Sequence, residues 1–239
     1  MKYDQEVGLM KRFSLALALV LVCTLAGCQS QNGIPGNTSV ETEYVSENES
    51  AGYFGFVDEL NAEEKQVLSE FLPILTDGRT FRAAHMPNSG ESVSSFEEKS
   101  LADILHDIDP DYSSDTPVQS LAFCDVTGDG QTDIAVLLDH PAGFYCLLCK
   151  DGEDFYGVYM PIRWFEGLRE NGVFLGSGGA ATSYYERLHF SDGVFSAELL
   201  GYTDWGYYEA DGKEVSQEEF EAWLDGLLGE KVVWHKVSE

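Results

Sequence analysis

The chain has 239 residues, of which 44% are apolar and 13% aromatic, and its formal net charge at neutral pH is −28. This composition is typical of a folded domain and excludes an intrinsically disordered protein. The negative charge repels phosphate backbones, which excludes nucleic acid as a partner, and it favours solubility and the binding of cations.

The first residues have the features of an export signal. A basic start at residues 10–12 precedes an apolar run over residues 13–25. This run is shorter than the roughly 20 apolar residues that a membrane span requires, and it is typical of a cleaved signal peptide. Residues 1–9 include two acidic side chains, which suit a signal poorly, so Met10 is an alternative to Met1 as the start of translation.

The apolar run ends in Leu25-Ala26-Gly27-Cys28. These four residues resemble the bacterial lipobox, in which the signal peptide is cleaved before a cysteine that receives a diacylglycerol thioether. The resemblance implies a signal peptide over residues 1–27 and a lipidated, palmitate-bearing Cys28 that holds the protein on the extracytoplasmic face of the cell membrane. Two or three acyl chains give stable anchoring, because each buried CH₂ contributes about 0.8 kcal/mol. An ordinary signal peptide that ends near a cysteine is the alternative.

Residues 28–52 differ in composition from the rest of the chain. After Cys28 they are rich in Ser, Asn, Gly, Thr and Glu, and they show neither the period of a helix nor that of a strand. This composition is typical of a flexible linker. We therefore predict a tether that lifts one acidic domain, residues 53–239, off the membrane surface.

The domain is predicted to begin with a helical part over residues 58–109. Asn61 starts a capping box, and apolar residues follow it at helical spacing up to Leu75. A second helix is predicted to start at Ser95. The residues between the two helices, 77–94, are rich in Gly, Ser and Asn and are predicted to form a loop.

Residues 118–239 are predicted to form the sheet part of the domain. Short apolar and aromatic runs alternate with Asp-Gly pairs, which favours hairpins and antiparallel pairing. Ser216 starts the capping box of a C-terminal amphipathic helix, and a last strand is predicted over residues 231–237. The sequence therefore predicts an α+β fold, with N-terminal helices and then a mainly antiparallel sheet on which the C-terminal helix packs. The other predicted strands are 118–124, 133–139, 143–150, 155–160, 173–176, 183–190, 194–202 and 205–209.

Oxygen donors recur at every second position of the loop between the first two predicted strands. Four of them are the side chains of Asp125, Thr127, Asp129 and Asp133, and the backbone carbonyl of Gln131 is the fifth. This spacing matches the order of ligands in calcium loops, and a glycine at the sixth position permits the sharp turn that such loops require.

The segment 123–138 departs from the EF-hand pattern, because its twelfth loop position lacks the bidentate glutamate and a strand follows instead of a helix. It resembles the strand–loop–strand calcium hairpins of FG-GAP and VCBS-type repeats, whose matching aspartates ligate the metal. The resemblance implies a structural calcium ion bound by Asp125, Asp129 and Asp133, with Thr127 as a weaker, neutral ligand. The alternative is a hairpin whose aspartates form Asx turns without metal.

Three cysteines remain after the predicted lipidation site, namely Cys124, Cys146 and Cys149. The Cys146–Cys149 pair lies in an apolar strand and lacks the strand–helix setting of a redox CxxC motif. We predict buried free thiols, and a disulfide from Cys124 to either of the other two is the alternative.

Aromatic residues are concentrated in residues 144–208, where faces that can stack on sugar rings and ordinary core packing are both open interpretations. The glycine-rich loop at residues 176–182 lacks the helix that a phosphate site needs, so it is predicted to be a turn that shapes one end of a cleft. The ligand-binding candidates are Trp164, Tyr184, Tyr185, Trp205, Tyr207 and Tyr208, and Tyr202 lies among them.

These observations predict a membrane-anchored extracytoplasmic lipoprotein with a calcium-stabilised domain that binds a partner or has a structural role. No catalytic residue is nominated, and the candidate partners are a glycan or an envelope protein. Two other classes stay open. One is a solute-binding lipoprotein, although the domain is short for two α/β lobes, and the other is a cell-envelope hydrolase with paired carboxylates. An exposed row of aromatic side chains would favour glycan binding.

Overall fold

The computed structural model describes residues 54–112, 114 and 116–237. The predicted signal peptide, Cys28 and the linker lie outside the described residues. Of the described residues, 42% lie in strands and 22% in helices, and they form three α-helices and two sheets. None of the described helices is long and apolar enough to cross a membrane.

The elements follow each other in the order helix, strands, helix, strands, helix and a last short strand. The helices are α1 (Ala62–Thr76), α2 (Leu101–Ile108) and α3 (Gln217–Leu227), with 3₁₀ helices at Val57–Glu59 and Ile162–Trp164. The strands are β1 (Phe81–His85), β2 (Ser92–Val93), β3 (Glu97–Lys99), β4 (Val118–Cys124), β5 (Asp133–Leu138), β6 (Phe144–Asp151), β7 (Asp154–Pro161), β8 (Val173–Ser177), β9 (Thr182–Ser191), β10 (Val194–Asp204), β11 (Tyr207–Ala210), β12 (Lys213–Glu214) and β13 (His235–Lys236).

The start of α1 follows directly from its sequence. The Asn61 side chain accepts hydrogen bonds from the N–H groups of Glu63 and Glu64, and the Glu64 carboxylate accepts one from the N–H of Asn61. This capping box satisfies N–H groups that have no partner within the helix. The predicted α1 is therefore confirmed, and so is α3, in which Ser216 and Glu219 form the same reciprocal pair.

The first sheet has seven strands in the order β13-β4-β5-β6-β7-β1-β3. Every neighbouring pair is antiparallel except β1 and β7, which run parallel with Ala83 opposite Gly157. A glycine is needed at that point, because a Cβ on Gly157 would lie 2.7 Å from the Phe81 ring.

The second sheet has six strands and continues the chain as a series of hairpins. Its order is β12-β11-β10-β9-β8, and β2 pairs with β10. The predicted Asp-Gly turns are present between its strands. Asp192 and Gly193 both have positive φ, at 53° and 70°, as the tight turn between β9 and β10 requires.

The first sheet is buried on both faces, which produces three layers. One face, with Leu121 and Ile134, packs against α1 and α2. The opposite face, with Ala122 and Ala135, packs against Leu188 and the other inward-facing residues of the second sheet. Strands that are covered on both sides need apolar residues at successive positions, which explains the continuous apolar runs of β4, β5 and β6.

The predicted α+β class is wrong in its architecture. The structure is mostly β and has two sheets where one was predicted, and the segment predicted to be helical contains three strands. β1, β2 and β3 occupy residues that were assigned to the loop and to the start of the second helix. That helix starts at Leu101 with Ser100 as its cap, and not at Ser95. Long-range pairing explains the error, since β1 pairs with β7, about seventy residues further along.

Candidate functional site

The predicted calcium loop joins β4 to β5, with Cys124 and Asp133 paired at the ends of the two strands. Asp125 organises the loop. Its Oδ1 accepts hydrogen bonds from the N–H groups of Gly128 (2.6 Å) and Asp129 (3.2 Å), and its Oδ2 accepts one from the N–H of Gly130 (2.9 Å). The predicted strand–loop–strand arrangement is therefore present.

Asp133 is the buried member of the loop, with 2% of its surface exposed. Its Oδ2 accepts hydrogen bonds from the N–H of Val126 (3.0 Å), the N–H of Thr127 (3.0 Å) and the Thr127 hydroxyl (2.9 Å). Burial raises the pKa of the Asp133 carboxyl to about 7, the charges of Asp129 and Asp125 add to this rise, and the Thr127 donors oppose it. A cation beside this carboxylate would remove the repulsion between the three acids.

Asp129 and Gln131 lie at the exposed tip of the loop. Asp129 accepts hydrogen bonds from the backbone N–H (2.8 Å) and the side-chain amide (3.2 Å) of Gln131. Within the described residues, no set of three or more His, Cys, Asp or Glu side chains converges as a metal centre. The hydrogen bonds of the Asx-turn alternative are thus present, and the calcium ion stays a prediction.

Two observations concern whether the loop residues can bind a cation. None of the loop aspartates forms an ion pair with a Lys, Arg or His of the described chain. The Thr132 hydroxyl donates a hydrogen bond to Glu63 of α1 (2.5 Å). Within the described chain the acids therefore have no cationic side-chain partner, which leaves their charge available to a metal ion. An ion bound there would also stabilise the contact with α1.

The three cysteines are free and buried, in agreement with the prediction. Cys146 belongs to the core beneath α1 and α2, whereas Cys124 and Cys149 belong to the core between the sheets. Burial raises the pKa of each thiol, to about 12 for Cys124. They are protonated packing residues and carry no thiolate chemistry at neutral pH.

A cleft of about 460 Å³ opens where the core between the two sheets ends. β9 explains its position, because Leu188 continues the inner face of the second sheet and belongs to the core, whereas Glu186 and Tyr184 on the same face lie beyond it and line the cleft. We call this space the Glu186 cleft. Its walls are Met86, Pro87, Asn88, Ser89, Trp164, Gly176, Ser177, Gly178, Tyr184 and Glu186.

Glu186 is an acid with few partners for its degree of burial, since only 5% of its surface is exposed. Oε1 accepts a hydrogen bond from the Ser89 hydroxyl. Oε2 accepts no hydrogen bond from the described residues, and it is not one of the fully buried polar atoms, so it is accessible from the cleft. It lies so close to Gly176 that a Cβ there would be 3.2 Å away. Burial raises the pKa of the Glu186 carboxyl above its usual range, while the Ser89 hydroxyl opposes the rise.

Aromatic side chains extend from the cleft across the second sheet. Trp164 stands at the rim and is 42% exposed. Tyr184 of β9 lies beside Tyr202 of β10, with ring centroids 5.3 Å apart, and Tyr202 lies 6.0 Å from Tyr207 of β11. We call Tyr184, Tyr202 and Tyr207 the tyrosine row. It runs perpendicular to three neighbouring strands and begins at the Glu186 cleft.

The ligand-binding candidates predicted from the sequence do not all lie at one place in the structure. Tyr185 and Tyr208 pack against Phe220 of α3, with ring centroids 5.8 and 5.5 Å away, so they belong to the packing of that helix. Trp164, Tyr184 and Tyr207 lie at the cleft or in the row. Trp205 occupies the turn between β10 and β11 and is 86% exposed.

Glu186 and Ser89 were missed by the sequence reasoning. The alternation of β9 contained a signal for Glu186, since it lies between Tyr184 and Leu188 on one face of a strand. Ser89 gave no signal, because it lies in a connection far from β9 in sequence. The predicted role of the 176–182 loop is borne out in part, since Gly176, Ser177 and Gly178 form one wall of the cleft.

The chain matches no protein-family model, no curated protein and no solved structure.

Proposed function

We propose that this chain is a lipid-anchored extracytoplasmic lipoprotein that binds a glycan through the tyrosine row and the Glu186 cleft. In this proposal Cys28 holds the protein on the membrane, the linker provides reach, and a calcium ion stabilises the β4–β5 hairpin. The observation that carries the glycan proposal is the continuity of three tyrosine rings with a cleft that has an exposed tryptophan at its rim.

The spacing of the row suits a chain of sugar units. Aromatic rings offer flat apolar faces that pack against the C–H faces of sugar rings, and the tyrosine hydroxyls keep a polar edge in water. Strand pairing also places polar side chains beside the rings, because Tyr202 is opposite Glu209 and Tyr207 is opposite Asp204. These carboxylates are acceptors for sugar hydroxyl groups.

Binding is better supported than hydrolysis. Glycoside hydrolases use two carboxyl groups that face each other across the scissile bond. Glu186 is the sole acid among the described residues that line the cleft. The arrangement therefore favours a glycan-binding protein over a cell-envelope hydrolase.

Calcium is proposed as a structural ion and not as part of the glycan site. Asp133 is buried beside two further acids without a cationic partner, and the loop contacts α1 through the bond between Thr132 and Glu63. An ion at this position would stabilise the connection between the first sheet and the helical layer. Its affinity is expected to be low, with a dissociation constant of about 10⁻⁴–10⁻³ M, as in other extracellular modules.

The glycan proposal is tested by measuring retention of the mature chain, in detergent micelles, on an array of bacterial and plant oligosaccharides. Tyr207→Ala removes an exposed ring of the row and is expected to weaken binding about fivefold, equivalent to about 1 kcal/mol. Tyr207→Phe is the matched control, because it keeps the ring and loses only the hydroxyl that donates to Glu209. Absence of binding to every oligosaccharide, or equal binding by all three proteins, would overturn the proposal.

A further inference from the structure

The burial of Glu186 and its few hydrogen-bond partners indicate which class of sugar the cleft binds. A carboxylate that is almost fully buried is normally paired with a cation or surrounded by several hydrogen-bond donors. Glu186 has one neutral donor, the Ser89 hydroxyl, and its second oxygen accepts no hydrogen bond from the described residues and is accessible from the cleft. We infer that the Glu186 cleft binds a sugar unit with a free, protonated amine, which donates to this oxygen and supplies the missing positive charge. The inference rests on the proposed glycan-binding function.

The residues that line the cleft favour a ligand with a cationic group over a neutral or an anionic ligand. No Lys, Arg or His occurs among its described lining residues, so nothing there would neutralise an anionic sugar. The net charge of −28 makes the surroundings favourable for cations. A neutral hydroxyl could hydrogen-bond to Glu186 but would leave the charge of the carboxylate unbalanced in a desolvated site.

Trp164 and Tyr184 are a second reason to expect a cationic ligand. Both residues line the cleft, and Trp164 is partly exposed. An ammonium group close to the face of an aromatic ring is stabilised by the ring quadrupole, most strongly by tryptophan. The cleft volume of about 460 Å³ lies within the range of sites that enclose a small organic ligand.

Three β-1,4-linked tetramers, of glucosamine, N-acetylglucosamine and glucose, share one backbone and differ at the substituent on C2. We expect the mature chain, studied by titration calorimetry at neutral pH and fixed salt, to bind the glucosamine tetramer at least tenfold more tightly than the other two. Glu186→Gln is expected to remove this preference, so that the glucosamine tetramer binds no more tightly than the other two. The substitution keeps an acceptor for the Ser89 hydroxyl.

The control for general attraction between an acidic protein and a cationic sugar is Glu153→Gln, which removes the same charge from an exposed turn between β6 and β7. Equal losses of glucosamine affinity in the two variants would overturn the inference. Equal affinity of the unmodified chain for all three tetramers would overturn it as well, independently of any variant, and would leave the glycan proposal standing. Failure to bind any tetramer, together with a negative array, would overturn both.

Discussion

Two buried carboxylates of this molecule, Asp133 and Glu186, are held in different ways. Asp133 ends a tight loop and accepts three hydrogen bonds from Val126 and Thr127 of that same loop. Glu186 lies in the middle of a strand, where the backbone is occupied by sheet pairing, and it has one hydroxyl donor from a distant segment. Asp133 therefore stabilises its loop through hydrogen bonds, whereas Glu186 keeps an oxygen available for the ligand of the proposed function.

The largest expected effect comes from removing the well-paired carboxylate. Asp133→Ala leaves the N–H groups of Val126 and Thr127 and the Thr127 hydroxyl without an acceptor in a buried site. We expect a loss of about 3 kcal/mol in the free energy of unfolding, measured by chemical denaturation in the presence of a chelator. Asp133→Asn keeps an acceptor oxygen and removes the charge, so it should stay close to wild type under the same conditions. Similar losses in both variants would show that the charge, and not the hydrogen bonds, holds the loop.

Calcium is expected to stabilise the domain through the β4–β5 loop, which contains Asp133, and not through the Glu186 cleft. At 10 mM calcium and a dissociation constant of about 1 mM, binding stabilises the folded domain by about 1.4 kcal/mol. This corresponds to a rise of about 3–6 °C in the melting temperature relative to a chelator, measured by calorimetry. Asp129→Ala should abolish the rise, and Glu186→Gln should leave it unchanged. Equal melting temperatures with calcium and with chelator would remove the metal from the proposal.

Removing the charge of Glu186 is expected to stabilise the domain, whereas removing Asp133 destabilises it. The reason is that the Glu186 carboxylate is desolvated and has only one hydrogen-bond donor. Glu186→Gln should stabilise the ligand-free domain at neutral pH by about 1 kcal/mol, a typical size for a single substitution, which is about 2–4 °C in melting temperature. Sites that are prepared for a ligand often cost stability in this way. A destabilised Glu186→Gln would mean that the carboxylate supports the fold, and the contrast with Asp133 would fail.

Local signals explain which parts of this comparison could be predicted from the sequence. The capping boxes at Asn61 and Ser216 and the β4–β5 hairpin depend on residues within a few positions of each other, and all three are present. The three aspartates lie in the loop of this hairpin, as their spacing along the chain predicts, and the calcium ion itself stays a prediction.

Long-range contacts explain what could not be predicted. β1 was assigned to a loop because its parallel partner, β7, lies far along the chain. The division of the hairpins between two sheets depends on which faces become buried, and turn residues do not encode this. Glu186 looked like an ordinary strand residue, and its burial follows from the first sheet and from the distant Ser89 segment that close over it.

The smallest expected effect is the pH dependence of the cleft. Because burial raises the pKa of Glu186 in the folded domain, ionisation of this group costs stability as the pH rises from the usual glutamate range through the raised value. Below that window the carboxyl is neutral in both states, and wild type and Glu186→Gln should melt alike. The advantage of the variant should therefore grow as the pH rises above about 4.5, the usual glutamate value, and become constant once the pH exceeds the raised pKa. Calorimetric melts of both proteins across this range measure it, and a difference in melting temperature that does not change with pH would show that folding leaves the pKa of Glu186 unshifted.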